Sequence, residues 1–348
     1  MQIQNSNSIF LTGATGFIGS HVAEYFCNRG VEVHCGVRPT SEISFLETLP
    51  VKISYIDLHD QDSLVRKIQQ VGFVIHTAGL VNDWSAYQEF YDTNVIGTRN
   101  LVNACVSAGI QNLIITGTNA SYGEENSSEF KNEDSPDKPH YPYFLENLIP
   151  NRLNHYRVTK HMATKEAVQM AQDNHMNLMV LEPVWVYGER EFSSGFYEYM
   201  KVVSGKVPFF PGCKTNRFHV ICVRDLVRAY FLTYEKRPTG VNRIIIGNEH
   251  IDLMDRIYAL FCKELGIRKP TNLPKALIYP VGLLMEMVAE LCKFKNPPTL
   301  SRSRVNMFYD NITYNTRKAK SMISFHQEVP IEVGIAQTVK WYKDKNLI

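Results

Sequence analysis

The stretch TGATGFIGS at residues 12–20 decides the fold of this chain. It places Gly13, Gly16 and Gly19 directly after an apolar run that is typical of a strand, SIFLTG at 8–13, and before a helical pattern. In a βαβ unit the first glycine permits a tight turn, the second lets backbone approach a pyrophosphate, and the third allows close packing of helix on strand. The helix N-terminus adds N–H donors and a positive dipole end. The stretch therefore predicts a dinucleotide-binding loop.

Strand and helix patterns alternate from this loop through the first half of the chain. Strands are predicted at 8–13, 31–37, 51–58, 73–79, 112–118 and 177–184. Helices are predicted at 18–30, 60–71 and 91–109, followed by one that ends near residue 173. Alternation at this spacing is typical of a parallel sheet with helices on both faces. We predict an α/β protein with a Rossmann-type doubly wound parallel sheet.

The pattern loosens after about residue 190, where helical segments at 225–235 and 252–265 lie among scattered Pro, Gly and aromatic residues. We expect a nucleotide-binding domain at 1–190, which exchanges a strand with the C-terminal part, and a smaller, mostly helical lobe at 191–348. Ligands of open α/β sheets bind beyond the carboxyl ends of the strands, so this lobe would shape a substrate pocket.

Composition narrows the function classes. The 348 residues carry a net charge of +2 and no long basic run, which argues against nucleic acid as a partner. Seven cysteines without a Cys-x-x-Cys pair, and a start without signal-peptide features, predict a reduced cytoplasmic protein without a metal site. The apolar stretch 277–289 is interrupted by Pro280 and Glu286 and is too short to span a bilayer. We expect a core helix there, and an amphipathic lid in peripheral contact with a membrane stays open as the alternative.

The tip of the second strand, CGVRPT at 35–40, favours one cofactor over another. NAD binders usually place Asp or Glu at this tip, whereas NADP binders place Arg nearby for the 2′-phosphate. Here no acid is present and Arg38 follows the strand, with Thr40 and Ser41 as further donors. We predict that NADP(H) is preferred and that NAD(H) is possible.

Taken in order, the motifs resemble the extended short-chain dehydrogenase/reductase family, the NAD(P)-dependent epimerase/dehydratase superfamily, over nearly the whole chain. The segments that carry the resemblance are TGATGFIGSH, Asp57-Leu58, HTAG (76–79), TNVIGTRNL (93–101), TGTNASYG (116–123), YRVTK (156–160) and PVWVYG (183–188). The resemblance implies Tyr156, Lys160 and Thr118 as catalytic residues. It also implies a set of cofactor-binding residues: Gly13, Thr15, Gly16, Phe17, Ile18, Gly19, Arg38, Asp57, Leu58, Thr77, Ala78, Gly79, Asn94, Thr116, Tyr156, Lys160, Pro183 and Val186.

Tyr156 and Lys160 stand four residues apart, so a helix would place them on one face. A tyrosine normally has a pKa near ~10, and an adjacent ammonium favours its phenolate form. The family resemblance implies Tyr156 as the acid/base, with Lys160 lowering its pKa and reaching the nicotinamide ribose. Thr118 would then hydrogen-bond the substrate carbonyl oxygen.

Departures from family patterns select a branch. Asn119 and Ala120 replace the Asp-Glu of nucleotide-sugar dehydratases, so a dehydratase is not expected. Val81, Glu182 and Phe218 replace polar groups that sugar epimerases often carry, although a one-residue bulge could restore a grip through Arg217; an epimerase with tightly held NAD(P) therefore stays open.

The C-terminal half, including LPKALIYPVGLLMEMVAELCKF, resembles the 3β-hydroxysteroid dehydrogenase and dihydroflavonol-reductase-like branch. This resemblance implies a ketone/alcohol oxidoreductase for a bulky apolar substrate of steroid, flavonoid or long-chain β-keto type. Trp185, Phe192, Phe196, Tyr197, Phe209 and Phe210 would suit such a ligand, although each could simply pack the lobe. The family also suggests a homodimer through helices at about 91–109 and 156–173. A non-catalytic NADP sensor is disfavoured because Thr118, Tyr156 and Lys160 are all present.

Overall fold

The computed structural model describes residues 5–123, 126, 129–192 and 195–348. The prediction that the chain starts without a signal peptide concerns in part residues 1–4, which lie outside the described residues. The strands are β1 (Asn5–Thr12), β2 (Glu32–Val37), β3 (Lys52–Tyr55), β4 (Val71–His76), β5 (Asn112–Thr116), β6 (Asn177–Pro183), β7 (Trp185–Tyr187), β8 (Phe209–Pro211), β9 (Arg217–Phe218), β10 (Val220–Cys222), β11 (Val241–Ile246), β12 (Asp252–Leu253) and β13 (Thr271–Leu273). The α-helices are α1 (Phe17–Cys27), α2 (Gln61–Ile68), α3 (Tyr87–Phe90), α4 (Gly97–Ser107), α5 (Arg152–Asp173), α6 (Phe196–Ser204), α7 (Val223–Lys236), α8 (Met254–Leu265), α9 (Lys275–Leu291), α10 (Arg302–Tyr309), α11 (Arg317–Ile323) and α12 (Ile331–Asp344).

Seven parallel strands form the central sheet in the order β11-β6-β5-β4-β1-β2-β3. The order reverses between β1 and β4, and this switch point is where doubly wound sheets bind ligands at their carboxyl edge. The predicted α/β class with a doubly wound parallel sheet is confirmed.

Apolar side chains cover both faces of the sheet. One buried cluster joins β1 and β2 to α1 and α7 and continues into α6, α8 and α12 of the C-terminal half. The other joins the opposite face to α2, α4 and α5. Parallel strands covered on both faces explain why the strand sequences are nearly continuous apolar runs.

The C-terminal half supplies one strand of the central sheet, at a position that the sequence pattern did not single out. Strand β11 pairs with β6 from Val241 to Ile246, at the outer edge, and α7 packs against α1. The rest of this half is mostly helical, with three two-stranded pairs, β10-β7, β12-β9 and β13-β8. The division at residue 190 therefore crosses a sheet to which both halves of the sequence contribute.

The helix predicted at 91–109 differs from the observed one. The chain enters a short α-helix, α3, passes through a π-helical segment at Tyr91–Ile96 and continues as α4. A π segment inserts an extra residue into a helical turn and is frequent at functional sites. This segment contains Asn94, one of the predicted cofactor-binding residues.

Helix α9 lies at the surface and is not the core helix expected from its composition. Only Ile278, Gly282, Glu286 and Ala289 of this helix are buried. Of the helices in the described ranges, none combines the length and the apolar character needed to cross a bilayer.

Candidate active site

The glycine loop lies against the turn that follows β4. Gly13 has φ +73°, and a Cβ on it would lie 2.5 Å from the backbone nitrogen of Ala78. A Cβ on Gly19, in the first turn of α1, would lie 2.1 Å from the carbonyl oxygen of Gly13 and 2.7 Å from Thr77 Oγ1. Thr77 also donates to the carbonyl oxygen of Thr12 at 2.8 Å. Glycine is therefore required at 13 by both conformation and space, and at 19 by space alone.

The loop fits a dinucleotide. Gly16 is exposed and caps α1 with extended backbone, with no side chain satisfying the helix N-terminus. A Cβ at Gly16 would approach only the Gly13 carbonyl, so the outer side of the loop is open. Thr15 beside it is exposed, and Phe17 and Ile18 begin the helix. Free N–H groups at a helix start in an open cradle are what a pyrophosphate needs.

Two further predicted contacts lie along the same edge. Arg38 is exposed immediately after β2, and its carbonyl accepts from Ser41 N–H at 3.0 Å in a turn. Asp57 is exposed after β3, with its carboxylate accepting from His59 N–H at 2.9 Å. Leu58 packs against Gly97 of α4. The sheet therefore brings the glycine loop, the basic tip and the Asp-Leu pair to one edge.

Lys160 is buried at the end of β5. Its Nζ donates to the carbonyl oxygen of Thr116 at 2.8 Å, and the residue is 6% exposed. A Cβ on Gly79 would lie 3.8 Å from that Nζ, so the lysine faces the turn after β4. Burial lowers the pKa of Lys160 to about 8. The ammonium is therefore held beside the predicted cofactor path, and it loses its proton at a pH only slightly above neutral.

Tyr156 lies one helical turn before Lys160 on α5 and is half-buried, with its ring 6.2 Å from that of Phe90. Thr118 is buried two residues beyond the end of β5, where its Oγ1 accepts from Ala120 N–H at 3.2 Å. Lys160 bonds the last residue of β5, so the helix and this strand end are directly joined. The fold thus gathers the predicted catalytic residues at the end of one strand and the first half of one helix.

Asn94 ties the turn after β4 to α5. Its Oδ1 accepts from Leu80 N–H at 2.8 Å, and its Nδ2 donates to the Leu80 carbonyl at 3.3 Å and Thr159 Oγ1 at 3.4 Å. The side chain is 1% exposed, so these bonds replace solvent completely. The π segment places Asn94 so that its single side-chain amide forms hydrogen bonds to both the turn after β4 and α5.

A buried polar chain under the site was not predicted. His76, at the end of β4, lies 2.6 Å from Thr12 Oγ1 and 3.0 Å from Thr98 Oγ1. Burial lowers the pKa of His76 to about 3, with the Lys160 charge adding to the effect, so this ring is neutral. Thr116 Oγ1 lies 2.6 Å from the hydroxyl of Tyr230 on α7. Nothing in the local sequence marks these partners, because each is remote along the chain.

Glu182 and Phe218, two departures from the epimerase pattern, are both fully buried. The carboxylate of Glu182 accepts from Tyr122 Oη at 2.6 Å and from Arg243 Nε at 2.9 Å, and burial raises its pKa to about 7. Glu182 therefore pairs with a cation inside the protein. Phe218 packs on Trp185 with ring centroids 5.6 Å apart, while Arg217 is exposed.

The remaining predicted residues lie at the end of β6. Pro183 is its last residue and is buried, and Val186 is half-buried in β7, which pairs with β10. Val184 N–H between them donates to the Ile246 carbonyl of β11 at 3.0 Å. This segment therefore runs between the sheet and the C-terminal lobe.

A parallel sheet with a glycine loop at its switch point and a buried lysine one turn from a tyrosine defines the class of NAD(P)-dependent oxidoreductases that act on CH–OH groups. The model of the NAD dependent epimerase/dehydratase family matches residues 9–247. The chain belongs to this family, as the motifs indicated.

Three relatives span nearly its full length. They are a Synechocystis protein named for dihydroflavonol 4-reductase, 25% identical over 99% of this chain and 97% of its own; the decarboxylating sterol-4-α-carboxylate 3-dehydrogenase of Schizosaccharomyces pombe, 24% identical over 96% and 97%; and the 2-alkyl-3-oxoalkanoate reductase of Stenotrophomonas maltophilia, 23% identical over 94% and 97%. The predicted resemblance to the hydroxysteroid dehydrogenase and dihydroflavonol-reductase branch is confirmed.

Solved structures share the fold. The crystal structure of gox2253 superposes with a TM-score of 0.79 at 23% identity, covering 99% of this chain and 100% of that one. MoeE5 in complex with UDP-glucose and NAD superposes with a TM-score of 0.75 at 22% identity, covering 97% and 99%. The same architecture thus occurs in a protein that binds NAD.

Proposed function

We propose that this protein interconverts a ketone and a secondary alcohol on a bulky apolar substrate, with NADP(H) as the preferred cofactor and Tyr156 as the acid/base. The observation that carries the proposal is the position of Lys160. Its buried ammonium, bonded to the Thr116 carbonyl, lies one helical turn from Tyr156 and faces Gly79 of the turn after β4.

The roles of the side chains follow from this geometry. A positive charge near the Tyr156 phenol favours the phenolate, so the proton can be passed to or from a substrate oxygen near neutral pH. The Thr118 hydroxyl, buried at the end of β5, would hold that substrate oxygen by a hydrogen bond. The bound nicotinamide supplies or accepts the hydride. Gly13, Gly16, Gly19, Asn94, Pro183 and Val186 would hold the dinucleotide along the sheet edge.

The preference for NADP(H) rests on Arg38. This exposed guanidinium follows β2, where the chain carries no carboxylate to bond a ribose 2′-hydroxyl. A guanidinium can form two parallel hydrogen bonds to a phosphate. Its attraction to a doubly charged group best offsets the cost of removing the guanidinium from water.

The apolar substrate class is supported by relatives whose names specify sterol carboxylates and 2-alkyl-3-oxoalkanoates. The aromatic residues of the lobe contribute less to this argument than the sequence suggested. Phe196 stacks on Phe261 at 4.9 Å in the core, and Phe210 packs edge-on against Tyr199 at 5.0 Å. An open surface depression of about 520 Å³ lies beside Tyr141, Phe144 and Tyr279.

The test is Tyr156→Phe with Tyr55→Phe, at an exposed site 56% accessible, as the matched control. We expect Tyr156→Phe to lose at least about a hundredfold in turnover of an apolar β-keto or steroid ketone, the low end of the range for acid–base catalysis, while NADPH binding is retained. Wild-type turnover in this variant would contradict the role of Tyr156. A change of stereochemistry in UDP- or dTDP-sugars without net cofactor consumption would instead favour the epimerase alternative.

The family also suggests a homodimer through α4 and α5, and this stays a prediction. In the protomer, Arg99 of α4 and Glu166 of α5 form a half-exposed ion pair with Nε and Oε2 2.8 Å apart. Sedimentation equilibrium measures the assembly directly.

A further inference from the structure

The outer face of α9 is apolar along its whole length. Every exposed residue of this helix is apolar, and the larger ones recur three or four positions apart in one stripe, which we call the α9 stripe: Leu277, Val281, Leu284, Val288 and Leu291. Leu277, Leu284 and Leu291 are 62%, 60% and 80% exposed. An uninterrupted apolar stripe of this length is unusual on a soluble surface and marks an interaction site.

The acidic residues of α9 are all turned inward. Glu286 is 1% exposed and accepts from Arg302 Nε at 2.9 Å and from Asn151 Nδ2 at 2.9 Å. Glu290 accepts from Arg152 Nε at 2.5 Å and from its Nη2 at 2.7 Å. The polar side of the helix therefore holds it to the protein, at the first turn of α5, and its apolar side faces out.

Basic residues follow the stripe. The helix ends at Leu291, and the next turn presents Lys293 and Lys295 as exposed side chains on either side of Phe294, which is itself 50% exposed. The carbonyl oxygen of Phe294 accepts from Trp84 Nε1 at 2.8 Å, so this turn is fixed to the body of the protein. Apolar surface edged by ammonium groups complements an anionic lipid surface, where acyl chains lie next to negative headgroups.

The same surface borders an open depression. Phe144 and Leu148 are 62% and 77% exposed in the segment before α5. Phe144 and Ala276 of α9 both line the depression of about 520 Å³. Arg302 joins the two elements, since it bonds Glu286 and donates to the Phe144 carbonyl. The apolar surface therefore continues from α9 to the rim of this depression.

We propose that the α9 stripe, with Phe144, Leu148 and the Lys293–Lys295 turn, docks in the plane of an anionic phospholipid surface. Docking there would bring the rim of the depression to the layer that dissolves an apolar substrate, which rests on the substrate class proposed above. A second copy of the chain fits the stripe less well, because its own stripe carries no exposed acidic side chain to meet Lys293 and Lys295.

The experiment is co-sedimentation of the full chain with phosphatidylcholine vesicles, with and without phosphatidylserine. We expect binding that requires phosphatidylserine. The triple variant Leu277→Gln, Leu284→Gln, Leu291→Gln should lose at least about tenfold in vesicle affinity, because these side chains would no longer bury apolar area. Lys293→Glu with Lys295→Glu should lose about tenfold or more, and only toward anionic vesicles.

The control is Leu253→Gln with Val333→Gln, at two sites outside the stripe that are 40% and 45% exposed, and it should bind vesicles like the wild type. Tyr156→Phe should also bind normally, which separates docking from the proposed chemistry. Equal vesicle binding by the wild type and the triple variant would overturn the proposal. So would a concentration-dependent dimer that the triple variant abolishes, in a wild type that does not bind vesicles.

Discussion

The ammonium nitrogen of Lys160 lies 2.8 Å from the carbonyl oxygen of Thr116, the last residue of β5. This bond connects the helix that carries Tyr156 to the strand that leads to Thr118. It also fixes the charge in a place where burial lowers the pKa of the lysine to about 8.

Removing this buried cation has a pH-dependent consequence for stability. Because the folded-state pKa of Lys160 lies below that of a free lysine, its destabilising effect is complete below about pH 8 and vanishes as pH rises through the unfolded value near ~10.4. We expect Lys160→Met to gain on the order of 3 kcal/mol relative to wild type below pH 8, an upper limit set by that pKa difference, and nothing once the pH is well above about 10.4. Urea denaturation of the apoprotein across this range measures it. A stability difference that does not change with pH would contradict the buried charge.

Substitutions at Gly13 and Gly30 distinguish the cost of backbone strain from the cost of steric overlap. Both have positive φ, +73° and +76°, but a Cβ on Gly30 would meet nothing within 4 Å, whereas one on Gly13 would meet Ala78 backbone at 2.5 Å. We expect Gly30→Ala to cost roughly 1–2 kcal/mol, the strain of a left-handed residue alone. Gly13→Ala should cost at least about 1 kcal/mol more, because overpacking adds to that strain.

Thermal and denaturant unfolding of the two variants gives the comparison. Gly13→Ala should also weaken dinucleotide binding while Gly30→Ala leaves it unchanged. Equal stability losses would show that the loop can yield at Ala78.

Arg38→Asp tests the cofactor preference. The variant loses a charge-assisted bond to the 2′-phosphate and gains a carboxylate suited to the ribose hydroxyls. NADPH affinity should fall by about tenfold to a hundredfold, as one such bond of about 1.5–3 kcal/mol gives, while NADH affinity holds or rises. Arg66→Asp, an exposed site on α2, makes the same change in net charge and serves as the control in fluorescence titrations. Unchanged NADPH affinity would remove Arg38 from the site.

Removing only one partner of the Arg302–Glu286 ion pair should strongly destabilise the protein. The two side chains are 0% and 1% exposed and meet through Nη2 and Oε1 at 2.8 Å. Arg302→Met leaves an uncompensated buried carboxylate and should cost about 3–5 kcal/mol. Lys340→Met, in an exposed pair with Asp344, should change stability by less than about 1 kcal/mol.

Adding Glu286→Met to Arg302→Met should restore much of the loss, because two apolar residues can replace a buried ion pair. Denaturant unfolding of the wild type, Arg302→Met, Glu286→Met and the double variant completes the thermodynamic cycle. An additive double variant would mean that the two residues act independently.

Sequence patterns predicted the structural features that depend on residues close together in the chain. The glycine loop and the Tyr156–Lys160 spacing depend on neighbouring residues, and both occur where the motifs placed them. The π segment around Asn94 was not predictable, because its hydrogen-bond register is set by Leu80 and Thr159. These partners are remote in sequence, so no window of residues contains the cause.

Two other differences have the same origin. A strand from the C-terminal part was expected, but its position was not predicted, because VNRIII at 241–246 stands alone in an irregular stretch and only pairing with β6 reveals its role. Helix α9 was expected in the core because it is apolar on most sides. The inward direction of Glu286 depends on Arg302, whose position follows from packing of α9 against α10.

One apolar cluster runs without a break from β1 and α1 through α7 into α6, α8 and α12. Anyone who exchanges the C-terminal part between relatives to alter specificity must respect this continuity. A chimera joined once at residue 190 would pair one parent's sheet with the other's α7 and β11. Two further junctions, which return residues 223–246 to the parent of the sheet, would keep the shared interior matched, so a transferable specificity module in this fold is discontinuous in sequence.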